Sequence, residues 1–236
     1  MKKVFVYIGS RNDNSILYTY LNRLIENISL QDESIKFTIY KAYETNIFHS
    51  TGCKSCFTKG KCPQDQLHND RMEEIKRELL ESDFVILASP VYSHNVSGDM
   101  KAFIDRLSYW GHLFRLAGKP GLVVASGGNG LNHVLDYLEK VSTYMGIITI
   151  GRVSAISGAE IKEEDIANNT HAILKHLKEE IVTESNDALE AAFLSFKWIY
   201  ENYPEDHVEH IYWRENGFFE CDSFQEVLDK KVKILK

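Results

Sequence analysis

No run of apolar residues in this sequence approaches the roughly 20 that a membrane-spanning helix requires, so no membrane span is expected. Positive charge is not in excess either. The 27 Lys and Arg against 34 Asp and Glu leave a formal charge of −7, which argues against wholesale nucleic-acid binding. Cysteine is scarce and unevenly placed. Three of the four crowd into Cys53 to Cys62, unlike the spread framework of a secreted disulfide protein. The chain runs from Lys2-Lys3 straight into a strand-like segment, with no h-region or cleavage site, so a cytoplasmic location is expected. The G-x-x-x-x-G-K-[ST] of a P-loop and the G-x-G-x-x-G of a dinucleotide fold are both missing, which disfavours ATP and standard Rossmann binding. There is no internal repeat, no low-complexity segment, and no Ser/His/Asp or paired-carboxylate arrangement.

What is present alternates strand and helix. The 236 residues, 44% of them hydrophobic, leave room for one α/β domain and an appendage. Branched and aromatic runs predict strands at Lys3–Ile8, Ile35–Tyr40, Phe84–Ala88, Gly121–Ser126 and Gly146–Ala155. Apolar residues at helical spacing predict helices from Ile16 to Ile28, Asp70 to Ser82, Ser97 to Trp110 and Leu131 to Met145, with a charged one from Glu160 to Thr183. His49–His68 reads as one long loop. This alternation implies a three-layer α/β sandwich with a five-stranded parallel sheet in the flavodoxin-like order 2-1-3-4-5. We divide the chain into a domain over 1–184 and a C-terminal helical and aromatic extension over 185–236. The extension has a helix from Asp187 to Tyr200 and a helical end from Ser223 to Leu235. It is too apolar for a linker and is expected to pack on the domain or on a second copy, with a substrate lid as the rival reading.

Ligands of open α/β sheets bind at the carboxyl ends of the strands, and three loops leave those ends. Gly9–Ser15 precedes a helix whose free N–H groups suit a phosphate, with Ser10, Arg11, Asn12, Asn14 and Ser15 as further contacts. A plain capped turn is the alternative there. Pro90, Val91, Tyr92, Ser93, His94 and Asn95 form the second loop, where Tyr92 offers a flat face to a planar ring. The third contains Ser126, Gly127 and Gly128, where bare backbone can approach a ring, or simply turn. One phosphate site with two ring-flanking loops matches FMN better than a dinucleotide. Asp105 and Arg106 read as an ion pair locking a helix onto the sheet. Cys53, Cys56 and Cys62 are candidate metal ligands if a fourth arrives from His49, His68 or Cys221. A redox-active thiol pair remains open, and no metal is expected.

G-S-R-N-D-N-S at Gly9–Ser15, G-C-K-S-C-F-T-K-G-K-C-P at Gly52–Pro63 and S-P-V-Y-S-H-N-V-S-G-D-M-K-A-F-I-D-R at Ser89–Arg106 resemble the NAD(P)H-dependent FMN reductases and multimeric flavodoxin-like oxidoreductases. The resemblance spans roughly Met1 to Glu180. It implies noncovalent FMN, reduced by NAD(P)H and reoxidised by a small acceptor such as a quinone, a nitro or azo compound or free flavin. A homodimer or homotetramer is expected with it. Binding residues, not catalytic acids or bases, then make the site. Two rivals remain: an electron-carrier flavoprotein, with or without an iron–sulfur group, serving a protein partner, and a flavin-free sensor or scaffold on the same fold.

Overall fold

The computed structural model describes residues 1–181 and 183–234. Five parallel strands build its one sheet in the order β2-β1-β3-β4-β5. They are β1 Lys3–Ile8, β2 Lys36–Lys41, β3 Phe84–Pro90, β4 Pro120–Gly127 and β5 Ile148–Ile156. Side chains of a strand alternate between faces, and the core divides accordingly. Phe5, Tyr7, Val85, Leu87, Val123 and Ala125 face one layer; Val4, Val6, Ile8, Phe84, Ile86, Ala88, Leu122 and Val124 face the other. Helices α1 Ile16–Gln31 and α7 Glu163–Leu177 cover the second face, through Leu17, Leu21, Leu24, Ile28, Ile166 and Ile173. The first face is covered by α3 Met72–Glu81, α4 Gly98–Arg106, α5 Ser108–His112 and α6 Leu131–Tyr144.

The expected strands, their order and the helices that follow them are all found, with local corrections. The loop expected over His49–His68 contains a short helix, α2 Ser55–Lys59, and a 3₁₀ turn at Pro63–Gln66. The helix expected from Ser97 to Trp110 breaks at Leu107, where the Ser108 hydroxyl donates to the Asp105 carbonyl (2.9 Å). The charged helix expected up to Thr183 ends at Leu177. Glu179 takes a left-handed φ of 58°, and its N–H and that of Glu180 donate back to His176 and Lys175, a Schellman stop. Val182, inside that expectation, lies outside the described residues, as does Leu235 of the expected helical end.

The Asp105–Arg106 pair is also corrected. Asp105 pairs with Lys101 one turn back, whereas Arg106 turns inward. Its guanidinium donates to Asp65 (2.7 Å), to Asp70 and to the Phe48 carbonyl (3.0 Å). Asp65 also takes Lys76 Nζ at 2.6 Å. Buried charges persist only when paired in this way. The cluster pins the whole segment between β2 and α3 against the end of α4.

Residues 185–234 add α8 Asp187–Glu201, α9 Val208–Glu215 and α10 Phe224–Ile234; α9 was not expected. Phe193, Tyr200, Trp213, Phe218 and Phe224 pack with Phe114, Ala117 and Ile148 of the preceding chain in a third apolar cluster. Trp213 is fully buried, and its indole N–H donates to the His112 carbonyl (2.8 Å). Glu190 of α8 accepts from the N–H groups of Phe224 and Gln225 (2.7 and 2.9 Å), which caps α10. Trp213→Ala is therefore expected to destabilise the protein by about 3–5 kcal/mol, measured by urea unfolding. An effect below about 1 kcal/mol would mean the extension does not fold with the sheet.

Candidate functional site

Register brings the carboxyl ends of β1, β3 and β4 side by side, with Ile8 beside Ala88 and Pro90 beside Ser126. The three loops expected to meet therefore do meet. Gly9 at the start of the first loop packs closely on the start of α4: a Cβ there would fall 2.8 Å from Met100 Cβ and 2.9 Å from Ser97 Oγ. Ser97 uses this closeness. Its hydroxyl donates to the Gly9 carbonyl (2.5 Å), accepts from Met100 N–H (3.1 Å) as the cap of α4, and its own N–H donates to Ser89 Oγ (3.0 Å). Neither Ser97 nor Ser89 is singled out by the sequence alone, although a serine ahead of an apolar helix is a cap signal.

The first loop is folded on itself. Asn12 N–H donates to Ser10 Oγ (3.2 Å), Asn14 N–H donates to Asn12 Oδ1 (3.1 Å), and Tyr18 OH donates to the Ser10 carbonyl (3.0 Å). Arg11 forms a two-pronged pair with Asp99 in the first turn of α4 (2.9 and 2.8 Å). This pair holds the guanidinium pKa above its usual value and bridges the loop to α4. Asp99 is a residue that sequence reasoning missed. Burial, with the Asp99 charge nearby, pushes the Tyr7 hydroxyl well above its ordinary range; that hydroxyl donates to the Asp99 carbonyl (3.2 Å). Ser15 stands at the N-cap of α1 but does not cap it, and its buried hydroxyl has no hydrogen-bond partner. A buried orphan of this kind requires an explanation. It lies at a helix amino end, where free N–H groups and the dipole favour an anion.

The second loop is a two-residue turn. Tyr92 and Asn95 exchange N–H···O bonds of 2.9 and 3.0 Å, and Ser93 and His94 between them both have positive φ, 50° and 59°. Such a turn usually takes Asn-Gly, and each non-glycine residue there costs about 1–2 kcal/mol. Strain of this kind collects at ligand sites. Tyr92 stands 55% exposed on the turn. Val91 N–H donates to the Ser126 carbonyl (2.7 Å), which joins this loop to the third.

In the third loop Gly128 has open space where a side chain would go, whereas Gly127 lies against Val91. Gly130 is the constrained glycine. Its φ is +70°, and a Cβ would meet His94 Nδ1 at 2.6 Å. The His94 ring rests there, edge-on to His133 of α6 at 5.9 Å. Ser10, Arg11, Asn12, Asn14 and Ser15 thus share one loop, with Ser10 buried and Arg11, Asn12 and Asn14 exposed. Pro90–Asn95 and Ser126–Gly128 form the other two. The cysteine segment is fastened by Arg106 to α4.

The model of the family described as NADPH-dependent FMN reductase matches residues 2–160. An iron–sulfur flavoprotein of Archaeoglobus fulgidus is 32% identical over 82% of this chain and 88% of its own. An FMN-dependent NADH:quinone oxidoreductase of Acidovorax ebreus is 26% identical over 51% of this chain and 66% of its own. Among solved structures, an oxidoreductase from Corynebacterium diphtheriae has a TM-score of 0.56 at 21% identity, covering 77% of this chain and 99% of that one. The apo form of an NADH:FMN oxidoreductase has a TM-score of 0.53 at 22% identity, covering 78% and 92%. These two establish the fold.

If the Ser15 hydroxyl awaits a phosphate, Ser15→Ala separates stability from binding. Apo-protein stability should stay within about 0.5 kcal/mol, read by thermal unfolding. FMN affinity should fall roughly tenfold, as for one lost hydrogen bond to a charged group, read by fluorescence titration. Unchanged affinity would remove Ser15 from the site.

Proposed function

The chain belongs to the NADPH-dependent FMN reductase family, and from that premise we propose that it carries electrons from a nicotinamide nucleotide, through FMN, to a small acceptor. It is an FMN-containing oxidoreductase with NAD(P)H as donor. The observation that supports the site assignment is the orphaned, buried Ser15 hydroxyl at the open end of α1, in the loop expected to take a phosphate. In this reading Ser10, Arg11, Asn12, Asn14 and Ser15 hold the phosphate side. Arg11 acts from its pair with Asp99, which sets its position. Pro90 to Asn95 and Ser126 to Gly128 flank the ring, with Tyr92 exposed as a face for it or for the acceptor.

Bound FMN supplies the hydride and electron chemistry, and the protein binds and orients it. No acid or base from this chain is required for that, so the residues named are binding residues. A quinone is the acceptor class we favour, since relatives such as the Acidovorax protein are named for it; nitro compounds and free flavin are the alternatives. Donor and acceptor then take turns in the same space over the ring. The cytoplasm is the proposed compartment, on the clustered spacing of the cysteines. A homodimer or homotetramer is proposed with it, because Leu194 and Trp198 leave an apolar face of α8 exposed.

The visible spectrum of the purified protein, taken before and after anaerobic NADPH or NADH, tests the reading. A two-banded flavin spectrum that bleaches with either nucleotide is expected, and the better nucleotide identifies the donor. A flavin that stays oxidised with both would favour an electron carrier for a protein partner. A colourless protein that takes up no added FMN would overturn the proposal.

A further inference from the structure

The second and third loops lead into α4 and α6 at their amino ends. A separate cleft of about 360 Å³ opens at the other ends of these two helices, beside α5. That volume falls in the range of small-molecule sites, about 300–1,000 Å³. Leu107, Val141, Tyr144, Met145 and Phe196 give it an apolar wall, with the Tyr144 and Phe196 rings 5.7 Å apart. A larger cleft of about 660 Å³ between α6 and α8 shares those two rings, but its acids Asp136 and Glu139 are already tied to Arg152. The smaller cleft has a polar group supported from behind.

That group is His112, which lines the cleft from α5 with its side chain 39% exposed. Its Nδ1 lies 2.8 Å from Oε1 of Glu209, a carboxylate on α9 that is 4% exposed. A carboxylate so deeply buried has to be paired. Among the described residues no Lys or Arg pairs with it, and its other neighbour is His207 at 3.8 Å. His207 Nδ1, however, accepts the Glu209 N–H (3.3 Å) as the cap of α9, so it has no proton to give the carboxylate. His112 Nδ1 must therefore carry the proton that Glu209 accepts. Its other nitrogen, Nε2, has no hydrogen-bond partner among the described residues. A carboxylate on one nitrogen fixes the tautomer of the ring and leaves the second nitrogen for a ligand.

We propose that this cleft binds a neutral aromatic compound carrying a hydroxyl, a phenol, with its ring against Tyr144 and Phe196 and its hydroxyl on His112 Nε2. Aromatic walls favour a flat ring. With Glu209 ionised, the Glu209–His112 pair is neutral or negative, so an anionic ligand is disfavoured. The acid in the wall, Asp105, is paired with Lys101, so a cationic ligand finds no free partner there. A hydroxyl suits either state of the imidazole, since it donates to a bare Nε2 and accepts from a protonated one. The site does not rest on the flavin.

Uptake of 2-naphthol by the protein as purified, measured by equilibrium dialysis, tests the proposal, with naphthalene as the probe that lacks the hydroxyl. One 2-naphthol should bind per chain. Val141→Trp, which fills the cleft from α6, should remove that site for both probes. His112→Asn keeps a donor for Glu209 and removes Nε2. In that variant 2-naphthol affinity should fall about fivefold, as for one lost hydrogen bond, while naphthalene affinity holds. No uptake, as when a second copy of the chain covers the cleft, overturns the proposal. So does uptake undiminished in Val141→Trp, or an equal loss of both probes in His112→Asn. Dialysis reads the cleft whether or not flavin is bound, so this proposal and the flavin proposal fail separately.

Discussion

The buried guanidinium of Arg106 is the contact on which much of this structure depends. It is 3% exposed and sits at the last turn of α4, and its partners all lie far back in the chain, at Phe48, Asp65 and Asp70. Asp70 also accepts from Met72 N–H (2.9 Å) at the start of α3, and Asp65 holds Lys76. One cation therefore fixes the cysteine segment, the start of α3 and the end of α4 relative to one another. Removing a partner from such a network leaves an uncompensated buried charge, at a cost of about 3–5 kcal/mol. The other end of α4 is held as firmly, by Ser97 on Gly9 and by Asp99 on Arg11. The helix thereby positions both the Gly9–Ser15 loop and the cysteine segment.

Much of this was legible from the sequence, and the reasons are physical. Strands buried on both faces read as continuous apolar runs, so β1, β3 and β4 were found within about two residues of their ends. Loop positions followed from strand order. Elements of four or five residues, such as α2 and the 3₁₀ turn, are too short to show a period. α9 was hidden because its residues are aromatic and charged, with Glu209 buried against His112 (2.8 Å) instead of outside. Arg106 was assigned to its neighbour Asp105, since adjacency is all a sequence offers. Its true partners are 36 and 41 positions away. The turn at Ser93-His94 was also unreadable, because its two central positions carry none of the Asn-Gly, Asp-Gly or Gly-Gly pairs that signal such a turn.

The extension is joined to the sandwich by more than apolar contact. His112 of α5 lies 4.8 Å from Phe57 of α2 and 5.6 Å from Phe196 of α8, while its ring nitrogen meets Glu209 of α9. Movement in the extension would therefore be felt in the helix that carries Cys56. The loops at the carboxyl ends of β1 and β3 are held separately, through Gly9, Ser97 and Ser89. The Gly9–Ser15 loop and the cysteine segment thus share α4 while keeping separate supports.

The three tryptophans are distributed so that the chain carries its own optical labels. Trp110 lies in the sandwich core, Trp213 in the core of the extension, and Trp198 stands 70% exposed on α8. The first two emit from dry surroundings and the third from water. The red edge of the intrinsic emission thus belongs to α8. Single replacements of these indoles would let unfolding of the two cores and covering of the α8 face be followed as separate colours, with no dye attached.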